Sequence, residues 1–90
     1  MPAMEATGNL MNALVGARKL VLAALSDTVD LPGGVCDALW VGGAGNIAII
    51  AEDDTSAVTI SSVAAGTRLD IRAKRVMVTN TTATLIVAWY

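Results

Sequence analysis

The chain of 90 residues contains no phenylalanine and no histidine, one tyrosine, two tryptophans and a single cysteine. Without histidine, the commonest general base and the commonest neutral metal ligand are both missing. One cysteine cannot close an intrachain disulfide, which excludes a disulfide-stapled secreted scaffold. Charge is also scarce: charged residues are 16% of the chain, eight acids against six bases, for a formal net charge of −2. That balance exerts no global pull on nucleic acid or acidic lipid. Long hydrophobic runs are lacking as well. The longest, Leu20 to Leu25 and Leu85 to Tyr90, fall far short of the roughly 20 residues that a spanning helix needs. The chain opens Met1-Pro2-Ala3-Met4-Glu5, without the basic residues that begin a signal peptide. Neither a membrane segment nor export is expected, and synthesis in a cytoplasm suits an unpaired Cys36.

What the chain does have is small and aliphatic. Apolar residues make up 54% of it and aromatics 3%, so the core must be built from Ala, Val, Leu and Ile in close layers. Ninety residues suffice for one domain at most. A domain of this size buries only roughly 60% of the surface its unfolded chain exposes. Some of the apolar surface must therefore meet something other than its own core, and composition favours a subunit of a homo-oligomer over a free monomer.

Two regions differ in pattern. Residues 1–18 carry Leu10, Ala13, Leu14 and Ala17 at three- and four-residue steps, a helical apolar stripe about two turns long. An isolated helix that short is marginal in water, and Gly8 and Gly16 weaken it further. This segment is expected to be an N-terminal arm, ordered only against a neighbouring subunit through Leu10 and Leu14. Residues 19–90 read as strands and turns. Strand candidates lie at Leu20–Leu25, Ala38–Val41, Ile47–Ala51, Ala57–Ile60, Leu69–Val78 and Leu85–Tyr90, separated by turn-forming clusters such as Pro32-Gly33-Gly34 and Ala64-Ala65-Gly66. Short strands recurring at about ten-residue intervals predict an all-β domain, a small antiparallel sandwich or barrel.

Few residues offer chemistry. Gly43-Ala44-Gly45-Asn46-Ile47-Ala48 formally fits a dinucleotide fingerprint, but that motif requires a helix to follow the glycines. Ile47–Ile50 reads as a strand, so a hairpin turn explains the same residues. Glu52, Asp53 and Asp54 are consecutive and diverge on an extended chain, whereas calcium needs converging oxygens; a solvated loop is expected. No serine has a histidine base, and Cys36 has no imidazole partner. No catalysis and no cofactor are expected. Arg68, Arg72, Lys74 and Arg75 gather within eight positions, and alternation puts Arg68, Arg72 and Lys74 on one strand face with Asp70. No aromatic platform accompanies them, so pairing with Asp27, Asp30, Asp37 or the 52–54 acids of a neighbouring subunit is preferred over phosphate contact. Trp40, Trp89 and Tyr90 are the aromatic side chains available for contacts.

The order of the pieces carries a resemblance. Ser26–Pro32, Ala38–Asn46, Val63–Thr67, Arg72–Val76, Thr79–Thr84 and an apolar C-terminal strand resemble, in this order, the small head proteins of tailed phages and gene transfer agents known as spike base proteins. The block Leu39–Asn46 is the most specific piece, and the resemblance spans about residues 20–90. It implies a bacteriophage-type virion component on the capsid exterior, a cement or decoration protein or a head-spike base, with no catalysis. The implied partners are the major capsid protein, further copies of the chain (a trimer favoured, a pentamer the alternative) and, for a spike base, a head fibre. Neither nucleic acid nor membrane is among them. The rival readings are a tail or baseplate adaptor and a small carbohydrate-binding module, the latter needing exposed aromatics on one face. Leu10, Leu14, Arg68, Arg72, Lys74, Arg75, Trp40, Trp89 and Tyr90 are the candidate subunit or capsid contacts. The purified chain is expected to sediment as a stable homo-oligomer; a folded 9.2 kDa monomer at micromolar concentration contradicts that expectation.

Overall fold

A computed structural model describes residues 17–90; the expected arm, with Leu10 and Leu14, lies outside the described residues except for Ala17 and Arg18. The described chain is all-β, without a helix. Its strands are β1 (Leu20–Leu22), β2 (Ala38–Gly43), β3 (Gly45–Ala51), β4 (Val58–Val63), β5 (Thr67–Leu69), β6 (Ala73–Val76) and β7 (Thr84–Trp89). They form two antiparallel sheets, ordered β1-β7-β2-β5 and β4-β3-β6. The sandwich expected from the strand spacing is the fold.

Between the sheets lies a core of short aliphatic side chains. Leu39 and Val41 of β2, Ile47 and Ile49 of β3, Val76 of β6, and Ile86 and Ala88 of β7 are buried, joined by Leu31 and Cys36 from the long β1–β2 connection. Among the described residues, none that is polar or charged is buried with them. The aromatic residues take no central place: Trp40, Trp89 and Tyr90 are only half-buried. Burial in this apolar setting pushes the Cys36 thiol above its ordinary pKa, which keeps it protonated and inert.

Three sequence expectations need correction. First, Gly42–Asn46 is not a hairpin, because β2 and β3 belong to different sheets. The chain crosses the sandwich through Ala44 alone, and the β7 segment presses against the crossing. A Cβ on Gly43 would collide with the Thr84 hydroxyl, and one on Gly45 would sit 2.5 Å from the Ala83 nitrogen. Glycine is needed for this close approach, and Gly43 has no positive φ. Second, the alternation from Leu69 to Val78 does not mark one strand. Burial alternates as expected only from Leu69 to Lys74 and then slips out of phase, with Ala73 and Val76 both buried; the chain leaves one sheet after Leu69 and joins the other at Ala73. A local period of two fixes which side faces the core, not which sheet a strand joins. Third, the strand expected over Leu20–Leu25 stops at Leu22, where the chain turns toward β6.

Polar side chains close the ladder where the strands end. The Asn46 carbonyl accepts the Thr82 and Ala83 N–H groups, and the Asn46 amide oxygen accepts the Ser62 N–H at 2.9 Å. In return the Thr82 and Thr81 hydroxyls accept the N–H groups of Asn46 and Ala48 at 2.8 and 3.0 Å. The β1–β2 connection covers the free edge of β6, with Ser26, Leu31 and Cys36 donating N–H bonds to the Val76, Lys74 and Ala73 carbonyls. Covering an edge in this way removes an aggregation template. Asp27 pins the connection in place. One carboxylate oxygen accepts the Val78 and Thr79 N–H groups, and the other accepts the Thr79 hydroxyl at 2.7 Å.

Two outcomes follow from these contacts. Gly45→Val is expected to lower stability in urea unfolding by more than about 1 kcal/mol, since the added side chain meets backbone that cannot yield; a change within about 0.3 kcal/mol contradicts the close-approach account. The Thr79 hydrogen bonds, with that of Val78, hold the Asp27 carboxyl below its ordinary pKa. A lowered folded-state value means that the stabilisation is complete above the unfolded carboxylate value of about 3.9. It is lost as pH falls through the folded value. Asp27→Asn should therefore lower the urea midpoint at neutral pH and flatten its decline below about pH 4. An unchanged acid profile is inconsistent with the clamp.

Candidate functional site

The outer face of the four-stranded sheet is built from strands that are apolar on both sides. In β7, Ile86 and Ala88 face the core, so Leu85, Val87 and Trp89 point outward. Leu20 pairs with Trp89, and Leu22 with Val87. Cross-strand partners share a face, so the two β1 leucines join the same surface. Trp40 of β2 lies opposite both Val87 and, on the other side, Arg68 of β5. Gly42 follows two residues later, and the Leu85 side chain packs close above it.

This surface is exposed and nearly uncharged. Leu20, Leu22 and Leu85 are 63%, 66% and 69% exposed, more than an isolated small domain has reason to leave in water as neighbours. Arg68 is the only charged residue within the four strands of the sheet. At one end Trp40 and Trp89 stack with centroids 6.0 Å apart and planes 10° from parallel. The Arg68 guanidinium lies 4.9 Å from the Trp89 centroid and its Nε donates to Asp70 at 2.9 Å. Such a cation–π contact contributes about 0.5–1 kcal/mol at an exposed position, and the stacked pair about as much again. At the other end Leu22, Thr84 and Leu85 border an open apolar groove of about 260 Å³ that reaches inward to Ala23, Leu25, Ala83 and Ile86, which belong to the core or pack against it. The two ends are joined by Leu20, Leu22 and Val87 into one stripe.

The remaining basic residues lie elsewhere. Arg72 sits in the β5–β6 connection and pairs with Glu52 at 2.9 Å and Asp37 at 3.2 Å; its hydrogen bond to Glu52 raises its pKa further. Arg75 pairs with Asp30 at 2.9 Å and also donates to the Asp27 carbonyl. Lys74, with Arg75, belongs to β6 of the other sheet. The expectation of one basic strand face is thus corrected: Arg68 is separated from Arg72, Lys74 and Arg75 by the sheet crossing. The carboxylate partners expected from a neighbouring subunit are found within the chain, at exposed pairs that contribute about 0–1 kcal/mol each. They tie the β1–β2 connection and the β3–β4 turn to the β5–β6 region.

Tyr90 also parts from the tryptophans. Its hydroxyl donates to the Gly34 carbonyl at 3.1 Å, its ring lies against Gly33, and its main chain bonds to Arg18 and Lys19. Burial pushes its pKa up. Tyr90 pins the Pro32–Gly34 turn to the start of β1. The structure therefore brings together Trp40, Trp89 and Arg68, and it adds Leu20, Leu22, Leu85 and Val87, which sequence reasoning assigned to strands without a face. Their signal was present: β1 and β7 are apolar in both alternating sets, as strands covered on both sides are.

No protein-family model matches the chain, and neither does any curated protein. Among solved structures it is similar to a chain of the capsid of the native GTA (gene transfer agent) particle, computed with C5 symmetry. The two share 34% sequence identity with a TM-score of 0.72, over 82% of this chain and 83% of that one. At that identity and coverage the likeness extends beyond a shared architecture, and the chain belongs to the same protein family as this component of the gene-transfer-agent capsid.

Proposed function

We propose that the chain is a structural virion protein on the outside of a tailed-phage-type capsid, acting as a cement or decoration protein or as the base of a head spike. Family membership with a gene-transfer-agent capsid chain over 83% of that chain's length carries the reading. The partners are the major capsid protein and further copies of the chain, with a head fibre added for a spike base. The outer sheet face, with Trp40, Trp89 and Arg68 at one end and Leu22 and Leu85 at the other, is the contact surface. The charged side chains Arg72, Arg75 and Asp27 are already engaged in holding the domain together.

The physical basis is mass action. A protein that binds only the assembled shell stabilises that shell against dissociation, and copies linked through a common lattice gain avidity. A small rigid sandwich suits this role, because little conformational entropy is lost when a preformed face docks.

The purified chain, added to particles produced without it, is expected to bind capsids saturably, to leave isolated tails bare and to appear as density on the outer shell in electron cryomicroscopy. A cement protein raises the temperature at which the particles open; a spike base leaves that temperature unchanged and restores fibre attachment. Binding confined to tails identifies a tail or baseplate adaptor instead. Micromolar glycan binding without capsid affinity identifies a carbohydrate module.

A further inference from the structure

Three features of the described chain point outward: the edge strand β4, the exposed Glu52–Asp54 turn, and the apolar outer face of the β1-β7-β2-β5 sheet. The β4 edge is largely polar and is interrupted at Ser62, whose φ is 57°. The acidic turn already gives Glu52 to Arg72. The apolar face is different, because a candidate occupant is attached to its border.

Sixteen residues precede Ala17, and they lead directly into β1, the edge strand that carries Leu20 and Leu22. Their composition matches the face. They hold a single charged side chain, Glu5, and three of the chain's four methionines, Met1, Met4 and Met11, whose flexible thioethers adapt to irregular apolar surfaces. Leu10, Ala13 and Leu14 recur at helical spacing. The reach is ample, about 24 Å if helical and up to about 53 Å if extended.

The point of attachment is fixed. The Arg18 and Lys19 N–H groups donate to the Tyr90 carbonyl, and the Tyr90 N–H donates to the Lys19 carbonyl. These bonds tie the start of the described chain to the end of β7, at the border of the outer face. From that border, with the reach above, the face of an adjoining copy is within range.

We propose that residues 1–16 of one copy dock on the outer sheet face of a neighbouring copy, with Leu10 and Leu14 lying against Leu20, Leu22, Leu85 and the Trp40–Trp89 pair. The proposal deepens the reading of that face as a contact surface by naming its occupant, a second copy of this chain. Exchange of arms around a closed set of copies leaves no face uncovered. It accounts for the apolar surplus of a chain whose sandwich is already closed.

The test uses full-length protein in the absence of capsids, so its failure leaves capsid binding standing. The wild-type chain is expected to sediment as an oligomer. The arm variant Leu10→Asp/Leu14→Asp and the face variant Leu22→Asp/Leu85→Asp should each weaken self-association roughly hundredfold or more, because carboxylates replace buried leucines. Protection of Cys36 from a thiol reagent reports that the sandwich remains folded. Mixing the two variants should restore one arm–face contact and give a 1:1 dimer. A synthetic peptide of residues 1–16 should shift the tryptophan emission of the arm variant saturably, while the same peptide carrying Leu10→Asp/Leu14→Asp should not; this measurement stands even where the face variant does not fold. Unchanged oligomers in both variants overturn the proposal. So does an arm variant that ignores the wild-type peptide, and so does a wild-type chain that is monomeric with its tryptophans already shielded, the signature of docking within one copy.

Discussion

The passage of the chain from one sheet to the other at Gly43-Ala44-Gly45 is the constraint on which the rest of the sandwich depends. It allows Leu39 and Val41 of β2 to face Ile47 and Ile49 of β3 across the core with one residue between the strands. It also allows β7 to lie against the crossing, where Asn46 exchanges hydrogen bonds with Thr82 and Ala83. A Cβ at Gly45 would push this segment away, and the ladder between β2 and β7 begins at that point, with Gly43 opposite Thr84. The central pair of the four-stranded sheet and the middle strand of the three-stranded sheet are thus fixed by one corner.

A core without aromatic rings follows from the same geometry. Val, Ile, Leu and Ala fill the space between the sheets and leave the tryptophans to the outside, where they stack on one another and carry Arg68. Small side chains contribute less burial each, roughly in proportion to their apolar area. The domain offsets part of this through side-chain hydrogen bonds at strand ends, with Asp27, Asn46, Thr81 and Thr82 each satisfying main-chain donors. Most of those bonds lie at the surface, so they specify the connections more than they add to stability.

The outer face of the β1-β7-β2-β5 sheet is where the described domain leaves Leu20, Leu22 and Leu85 exposed. Nothing in the described residues arranges a nucleophile, a base and an oxyanion site, and the polar groups serve the connections. What the domain presents is a preformed apolar stripe with a single arginine. Such a surface suits association within a particle, where each contact is weak and many are made together. The kinship with a gene-transfer-agent capsid chain agrees with a surface of this kind.

The sequence by itself determined the all-β class, the approximate strand positions and the shortage of catalytic groups, because alternation, breaker residues and composition are local properties. The order of blocks from Ser26 to Thr84 also carried the resemblance to phage and gene-transfer-agent head proteins. Only the tertiary structure decided that β2 and β3 part into different sheets, that Leu69 and Ala73 do the same, and that Arg72 and Arg75 find Asp37, Glu52 and Asp30 within the chain. Pairing partners lie tens of residues apart, and period-two alternation is identical whichever sheet a strand joins. For the same reason Leu20, Leu22, Leu85 and Trp40 could be seen as strand residues but not as one surface: their common face exists only once β7 is inserted between β1 and β2.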